Sequence, residues 1–431
     1  MFAKRTKAYT WVIILILYFP NINVAQDFQW PALNKDLQFQ PIIALQLWGT
    51  YTHNIQQYDL QSEQYLPIED RTNFLIRRTR LGFKIQPYDF LQVKLVAAID
   101  MVGRDLYSGF NGGSNNGSFP NIGLWEGTLR LKLTSKNDHF YLYIGYYPPA
   151  VGLSSITSAF QVPSLSKSFS QAYIRQNLVG RNPGRTAGLS LGGALGQADK
   201  KVGGQYELGI HNPSFPSAGG NTSQTRSILY TGRLQLFLGD RPYQGFKRNS
   251  PLNFYNQRDG LTLGLSGSWQ GKNDRADAAY SAGMDLIANW KALNINGEYY
   301  GLWRLGRLSD QDDVYGSSTG FIRSSYNIIV ADKYFIEPSI MWKFFRGGKS
   351  SLQQARANRV GDFAGQDNAY DIGINWHINR HQLKLAIHYT IQDGDAGAAK
   401  PGATLNQYFF QSGLGAIQRG DWLGIGLNIV I

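Results

Sequence analysis

The segment YDIGINWHINRHQLKLAIHYTI, residues 370–391, alternates apolar and polar residues in two runs that are separated by a short break. Every second residue from Tyr370 to Ile378 is apolar, and the same holds from Leu383 to Ile391. A period of two residues places successive side chains on opposite faces of a β-strand. Because the Asn-Arg-His break is short enough for a turn, this segment predicts a β-hairpin with one apolar face.

The same alternation recurs in about sixteen segments of the chain, each roughly ten residues long. Clear examples are Leu91–Ile99 and Leu423–Ile431, in which every second residue is apolar. Such repeats are typical of membrane β-barrels, whose strands face lipid on one side and water on the other. The sheet has to close on itself, since backbone groups in lipid must be paired. The sequence therefore predicts an all-β chain that forms a transmembrane antiparallel β-barrel of about sixteen strands.

The connections between these segments alternate between short and long, which predicts short periplasmic turns and long external loops. The short ones are Gln86–Asp89, Ser135–Asp138, Asn289–Ala292, Ala331–Lys333 and Ile378–His381. The long ones are Val102–Asn121, Pro148–Arg185, Arg241–Asp259, Arg304–Thr319, Arg346–Asn368 and Gly394–Gln418. A soluble β-sandwich is the alternative, but its strands average about 5–6 residues and it does not explain this rhythm.

The N-terminus has the features of a secretory signal. Three basic residues precede a mostly apolar run from Ala8 to Phe19, and Ala25 is a suitable last residue before cleavage. We therefore expect a signal peptide over residues 1–25 and a barrel domain over residues 26–431. Charged residues make up 17% of the chain, against about 25% in soluble domains, and the net charge is +12. The chain has no cysteine, which excludes disulfides and a lipid anchor on cysteine.

The longest connection without a clear period of its own is residues 148–185. No acidic residue occurs from Gly145 to Ala198, and the connection carries four cations: Lys167, Arg175, Arg181 and Arg185. Long connections of this kind are usually functional. We expect this loop to fold into the lumen of the barrel and to narrow the pore.

Further cations lie on the polar faces of the predicted strands. Those predicted to line the pore and bind anions are Arg78, Arg80, Lys94, Arg130, Lys132 and Arg233. Rings of Arg and Lys are the usual device of anion pores. The alternative is that they are ordinary solvated lumen residues, balanced by acids such as Asp100 and Asp285. Arg77 has the opposite parity to Arg78, which places it on the lipid side of its strand.

Five stretches resemble conserved parts of the phosphate-selective porin O/P family. They are FLIRRTRLGFKIQPYDFLQVKL (Phe74–Leu95), GYYPPAVGL (Gly145–Leu153), RNPGRTAGLSLGG (Arg181–Gly193), STGFIRSSYNIIVADKYFIEPSIMWKFF (Ser318–Phe345) and YDIGINWHINRHQLKLAIHYT (Tyr370–Thr390). The resemblance implies a sixteen-stranded outer-membrane barrel, usually trimeric, with a basic lumen and a constricting third loop. The chain departs from the family pattern at Tyr147, where a lysine is usual, at Leu153, where an acid is usual, and at its last residue, Ile431.

Together these features predict an outer-membrane porin for the passive diffusion of small anions, with phosphate and polyphosphate among the candidate solutes. The expected partners are small anionic solutes, outer-membrane lipids and further copies of the chain in a homotrimer, and nucleic acid is not expected. No cofactor, metal site or catalytic residue is predicted. Two alternatives are a barrel that scaffolds an assembly or secretion machine and a barrel hydrolase, which would need a Ser–His pair.

Overall fold

The computed structural model describes residues 37–110, 121–180, 183–196, 201–212, 227–273, 275–308 and 311–431. The predicted signal peptide lies outside these residues. The strands are β1 (Gln38–His53), β2 (Gln56–Asp59), β3 (Gln64–Pro67), β4 (Arg71–Tyr88), β5 (Leu91–Val102), β6 (Ile122–Lys132), β7 (Tyr141–Tyr147), β8 (Thr186–Leu195), β9 (Val202–His211), β10 (Leu229–Gly239), β11 (Gly260–Gln270), β12 (Ala278–Trp290), β13 (Leu293–Leu308), β14 (Gln311–Tyr326), β15 (Ile328–Val330), β16 (Tyr334–Arg346), β17 (Gln366–Asn379), β18 (Leu383–Asp395), β19 (Phe410–Gln411), β20 (Gly415–Gln418) and β21 (Asp421–Val430). The helices in the described residues are α1 (Leu153–Ile156), α2 (Ser170–Val179) and α3 (Ser351–Arg359).

One antiparallel sheet closes into a barrel. Each strand pairs with its neighbour in the chain from β4 to β14 and from β16 to β18, and β21 then pairs with both β18 and β1. The register from Ala44↔Val430 to His53↔Asp421 completes the ring. Since β15 continues β14 along the same partner, β16, the described residues form a barrel of sixteen strands. This confirms the predicted fold class.

The outer surface of the barrel is apolar. The outward residues of the strands include leucines, isoleucines and aromatics, such as Leu208, Leu265 and Ile372, each more than half exposed. Residues of opposite parity, such as Glu207 and Asp371, point inward and are buried. This arrangement matches a barrel that presents its apolar face to lipid. Among the described residues, no helix combines the length and the apolar character needed to cross a membrane.

The two ends of the barrel differ in their connections. At the short-turn end, β4 and β5 are joined by residues 89–90, and β12 and β13 are joined by residues 291–292. At the opposite, long-loop end, residues 148–185 join β7 to β8, and residues 396–420 join β18 to β21 and include β19 and β20. Strands β2, β3, β19 and β20 form a small second sheet at this end.

Two predictions about the connections are wrong. The connection Arg241–Asp259 was expected with the external loops, but it follows β10 and therefore lies at the short-turn end, because strand direction alternates around the barrel. The stretch Arg304–Thr319 is not a loop, since β13 and β14 stay paired from Arg304↔Tyr315 to Leu308↔Gln311. The stretch contains Gly, Ser and Asp residues, as loops do. Strand ends that extend beyond the lipid-facing part of the barrel are in water on both faces, so they need no apolar residues.

Candidate functional site

The connection 148–185, called here the lumen segment, contacts strands on the far side of the barrel. The backbone N–H of Ser154 donates to Glu298 Oε2 at 3.0 Å, and Ser170 Oγ donates to Glu298 Oε1 at 2.6 Å. The hydroxyl of Tyr173 donates to Asp367 Oδ2 at 2.6 Å. Glu298 and Asp367 belong to β13 and β17, whereas the segment starts at β7 and returns at β8. The described parts of the lumen segment therefore cross the interior of the barrel.

Apolar packing holds α2 against these strands. Ile174, Leu178 and Val179 of the helix are buried in one cluster with Tyr300 and Phe345 of the wall. The helix ends at Gly180, whose φ of 67° is in the left-handed region that glycine adopts without strain. The helix contacts β12, β13, β14 and β16, which lie across the sheet order from β4, β5 and β6, and space is left beside those three strands.

That space is a cavity of about 620 Å³ between the lumen segment and the wall formed by β1, β4, β5 and β6. Its lining extends from Gln392 and Gln407 near the long-loop end to Gln40 and Val430 near the short-turn end. The cavity therefore runs along the axis of the barrel and lies to one side of it.

The lining of this cavity is strongly basic. Among the described residues it includes twelve Lys and Arg but only two acids, Asp100 and Glu126. The cations are Arg77, Arg78, Arg80, Lys84, Lys94, Arg130, Lys167, Arg175, Arg185, Lys247, Arg248 and Lys343. Low-dielectric walls lined by charge of one sign concentrate ions of the opposite sign.

Seven of the ten predicted site residues line this cavity: Arg78, Arg80, Lys94, Arg130, Lys167, Arg175 and Arg185. Lys132 is not part of the lining, and its Nζ lies 3.0 Å from Asp138 Oδ1 at the short-turn end. Arg233 lies elsewhere in the barrel, where its two terminal nitrogens donate to Asp285 at 2.7 Å each. Arg181 lies outside the described residues.

Arg77 does not face lipid, so its predicted position is wrong. The register of β4 against β1 shifts between Gln46↔Arg78 and Leu47↔Ile76, which leaves Arg77 as the extra residue of a β-bulge. A bulge inserts one residue and inverts the parity of the positions beyond it. Arg77 is 3% exposed, lines the cavity and lies over the ring of Trp48, 5.0 Å from its centroid.

A second bulge turns Trp125 into the cavity. The register of β6 against β5 shifts between Val96↔Glu126 and Ala97↔Leu124, and Trp125 is the residue between them. The guanidinium carbons of Arg80 and Arg185 lie 3.5 and 3.3 Å from the centroid of its ring. Two groups this close to one centroid would overlap on the same face, so the arginines stack on opposite faces. Sequence reasoning missed Trp125, since a bulge depends on the neighbouring strand.

Two cations of the cavity donate hydrogen bonds to backbone carbonyls of the lumen segment. Lys167 Nζ donates to the carbonyl of Thr157 at 2.7 Å, and Arg175 Nη2 donates to the carbonyl of Ser155 at 2.8 Å. Burial, with the charge of Arg175 as the next cause, lowers the pKa of the Lys167 ammonium well below its ordinary value of 10.5. Burial also lowers the pKa of Arg175 to about 10.

Other cations of the lining are paired with acids. Arg80 donates to both oxygens of Asp100, at 2.5 and 3.1 Å, and Lys94 Nζ lies 3.0 Å from Glu126 Oε2. Arg248 is paired with Glu207 of β9. These pairs fix the positions of the cations, and twelve cations against two acids leave the described lining with a surplus of positive charge.

Two of the histidines are paired with acids inside the barrel. His388 is 1% exposed, with Nδ1 2.8 Å from Asp371 Oδ1 and Nε2 3.3 Å from Asn375 Oδ1. His377 Nε2 lies 2.8 Å from Glu337 Oε2. Within the described part of the chain, no group of three or more His, Asp or Glu residues could hold a metal ion.

No protein-family model and no curated protein matches this sequence. Solved structures of porins do match its fold. The outer membrane channel DcaP of Acinetobacter baumannii has a TM-score of 0.55 and 9% identity, over 92% of this chain and 97% of that one. The anion-selective porin from Comamonas acidovorans has a TM-score of 0.52 and 11% identity, over 92% and 100% of the two chains. OmpF of Salmonella typhi, in complex with daunomycin, has a TM-score of 0.52 and 11% identity, over 91% and 97%. At these identities the similarity shows a shared barrel fold.

Proposed function

We propose that this protein is an outer-membrane porin through which small anions diffuse passively. The observation that supports the proposal is the cavity that extends between the two ends of the barrel, with twelve cations and two acids among its described lining residues. A passage of this charge attracts anions and repels cations. Diffusion through it requires no cofactor and no catalytic group.

The chemistry of the lining suits oxyanions. Seven of the twelve cations are arginines, whose planar guanidinium can bind two oxygens of one phosphate or carboxylate, whereas lysine acts as a point charge. Phosphate and polyphosphate are therefore candidate solutes. Because the cations are distributed along the passage, an anion can move from one to the next without leaving a favourable potential.

The similar structures agree with this proposal. One of them is described as an anion-selective porin, and it covers 92% of this chain. A shared fold does not by itself imply a shared function, so the charge of the lining is the stronger argument. The apolar outer surface, the signal peptide expected over residues 1–25 and the barrel of residues 26–431 fit an exported protein in the outer membrane, where a homotrimer surrounded by lipid is the expected form.

Within this porin, the lumen segment 148–185 acts as the constriction. Its helix α2 packs against β12, β13, β14 and β16, and the segment supplies Lys167, Arg175 and Arg185 to the remaining passage. Its hydrogen bonds to Glu298 and Asp367 anchor it at points across the barrel from its ends. These anchors fix the width of the passage.

The test is the current through purified protein in planar lipid bilayers under a gradient of KCl. We expect discrete channels whose reversal potential shows preference for chloride, and we expect phosphate and pyrophosphate to reduce the chloride current in a concentration-dependent manner. Channels that prefer potassium would contradict the proposal. Absence of channels, together with a co-purifying partner protein, would favour a scaffold of an assembly machine instead.

A further inference from the structure

The connection 240–259, called here the turn-end segment, enters the barrel from the short-turn end. Other connections at that end, such as 89–90 and 291–292, consist of two residues. The turn-end segment is much longer, and part of it is buried: Phe246, Leu252 and Arg258 are each at most 2% exposed. Short turns are the rule at this end of such barrels, so a long, buried connection needs an explanation.

Two anchors attach the first half of this segment to the wall. The ring of Phe246 stacks on Tyr141 of β7, with centroids 5.6 Å apart. Arg248 Nε donates to both carboxylate oxygens of Glu207, at 3.0 and 2.8 Å. Arg248 Nη2 also donates to the carbonyl of Pro148 at 2.8 Å, and Pro148 is the first residue of the lumen segment. A buried charge pair with this many hydrogen bonds is costly to break.

The second half of the segment packs against the lumen segment itself. Leu252 is buried in one cluster with Leu153 and Val162, which belong to the lumen segment. The amide of Asn253 donates to Asn327 Oδ1 at 2.7 Å and to Glu337 Oε1 at 2.8 Å. The two segments therefore enter from opposite ends of the barrel and contact each other in its interior.

Lys247 lies between the two anchors, and its side chain is exposed to the cavity. Its backbone carbonyl accepts hydrogen bonds from Gln205 Nε2 at 2.8 Å and from the hydroxyl of Tyr243 at 3.0 Å. Its N–H donates to Gln205 Oε1 at 3.3 Å. The backbone is thus fixed, and the side chain lines the passage together with Lys84 and Lys94, with its ammonium 5.7 Å from the centroid of the Tyr243 ring.

We infer that the turn-end segment forms a second constriction, opposed to the lumen segment, and that Lys247 determines anion preference where the passage reaches the short-turn end. The inference rests on the proposed function, since it assigns a role within an anion pore. Phe246 and Arg248 anchor the backbone on the two sides of Lys247. The charge of Lys247 is therefore held at a fixed place beside the passing ions.

The absence of cysteine from the sequence allows a direct test. Lys247→Cys introduces a single thiol, which is treated in bilayers with a cationic or an anionic methanethiosulfonate reagent added to one side. Lys333→Cys is the matched control, because Lys333 is an exposed lysine at the same end and is not among the residues that line the cavity. Lys272→Cys, at the opposite end, is labelled with a biotin thiol reagent in a separate sample, and streptavidin accessibility then reports the orientation in which protein added to one side inserts.

We expect Lys247→Cys to reduce the permeability ratio of chloride to potassium by roughly two- to fivefold, the effect of one charge a few ångströms from the ion. The cationic reagent should restore the ratio, the anionic reagent should lower it further, and both should react faster from the short-turn side. Lys333→Cys should leave the ratio unchanged with either reagent.

The outcome separates this inference from the proposed function. If the parent channel prefers chloride but modification at position 247 changes neither current nor selectivity, the second constriction is wrong and the porin proposal stands. The same conclusion follows if the thiol reacts as fast from the long-loop side. If the parent channel shows no anion preference, the proposed function fails, while a drop in current on modification still places the segment in the passage.

Discussion

The guanidinium carbon of Arg185 lies 3.3 Å from the ring centroid of Trp125, so the last cation of the lumen segment is stacked on the wall of the barrel. Arg80, which belongs to the wall, stacks on the other face at 3.5 Å. One aromatic ring thereby holds two positive charges within about 7 Å of each other, the sum of those two distances. Since Arg80 is also held by Asp100, the main effect of the ring is to position Arg185 beside it.

Replacing the ring of Trp125 should weaken the binding of anions in the passage. Each cation–π contact contributes about 0.5–2 kcal/mol, so we expect Trp125→Leu to weaken the block of chloride current by phosphate by roughly two- to tenfold. Trp125→Phe should retain part of the effect. The control is Trp342→Leu, since Trp342 lies among the exposed apolar residues of the barrel. If phosphate blocks the chloride current equally well in Trp125→Leu, Trp125→Phe and the control Trp342→Leu, the stack has no role in anion binding.

Removal of charge from the lumen segment should reduce anion preference. The combined variant replaces Lys167, Arg175, Arg181 and Arg185 with Gln, and we expect the permeability ratio of chloride to potassium to fall by about an order of magnitude. The matched control replaces cations near the long-loop end that are not among the cavity lining: Lys272, Lys349, Arg356 and Lys400. A similar decrease in the control would assign the selectivity to the overall charge of the protein rather than to the constriction.

The anion preference should depend on pH through Lys167. Burial lowers the pKa of this ammonium well below 10.5, so the group loses its proton, and with it its charge, at a lower pH than an ordinary lysine. Preference for chloride should therefore decrease as the pH is raised towards 9. Lys167→Arg should remove most of this dependence, because a guanidinium keeps its proton at higher pH, and even the buried Arg175 has a pKa of about 10. Reversal potentials measured from pH 6 to pH 9 test this, and an unchanged profile in Lys167→Arg would contradict it.

The Arg233–Asp285 pair should matter for stability rather than for selectivity. Both side chains are at most 3% exposed, and the pair is not part of the basic cavity. Removing one partner of a buried pair costs about 3–5 kcal/mol, whereas replacing both by apolar groups is often neutral. We expect Asp285→Ala to lower the urea concentration at the midpoint of unfolding in lipid vesicles, and Arg233→Met/Asp285→Leu to recover most of it.

Selectivity of the double variant completes this test. An unchanged reversal potential in Arg233→Met/Asp285→Leu would remove Arg233 from the set of predicted pore residues. A decrease in anion preference would instead return Arg233 to the anion path, despite its position outside the basic cavity.

Much of the wall was predictable from local sequence. The alternating segment Leu91–Ile99 lies within β5, and the segment that starts at Leu423 lies in β21 up to Val430. The hairpin 370–391 is formed by β17 and β18, with Ile372 paired to Tyr389. These predictions hold because lipid on one face and the lumen on the other impose a strict period of two on each strand.

Features that depend on a neighbouring strand were not predictable in this way. The bulges at Arg77 and Trp125 arise from one extra residue against a partner strand, and they reverse the face on which a side chain lies. The turn-end segment was misplaced for a related reason. Its side of the barrel depends on the number of strands that precede it, and its composition resembles that of the external loops.

The sequence by itself determined the all-β fold, the approximate number of strands and an acid-free connection rich in cations, because these follow from periodicity and composition. The tertiary structure alone decided which cations share one passage. Lys167 and Arg80 meet in the same cavity, while Arg233 is neutralised by Asp285 elsewhere in the barrel. The physical reason is that an electrostatic site depends on distances across the lumen, and those distances are set by closure of the barrel and by packing of the two inserted segments.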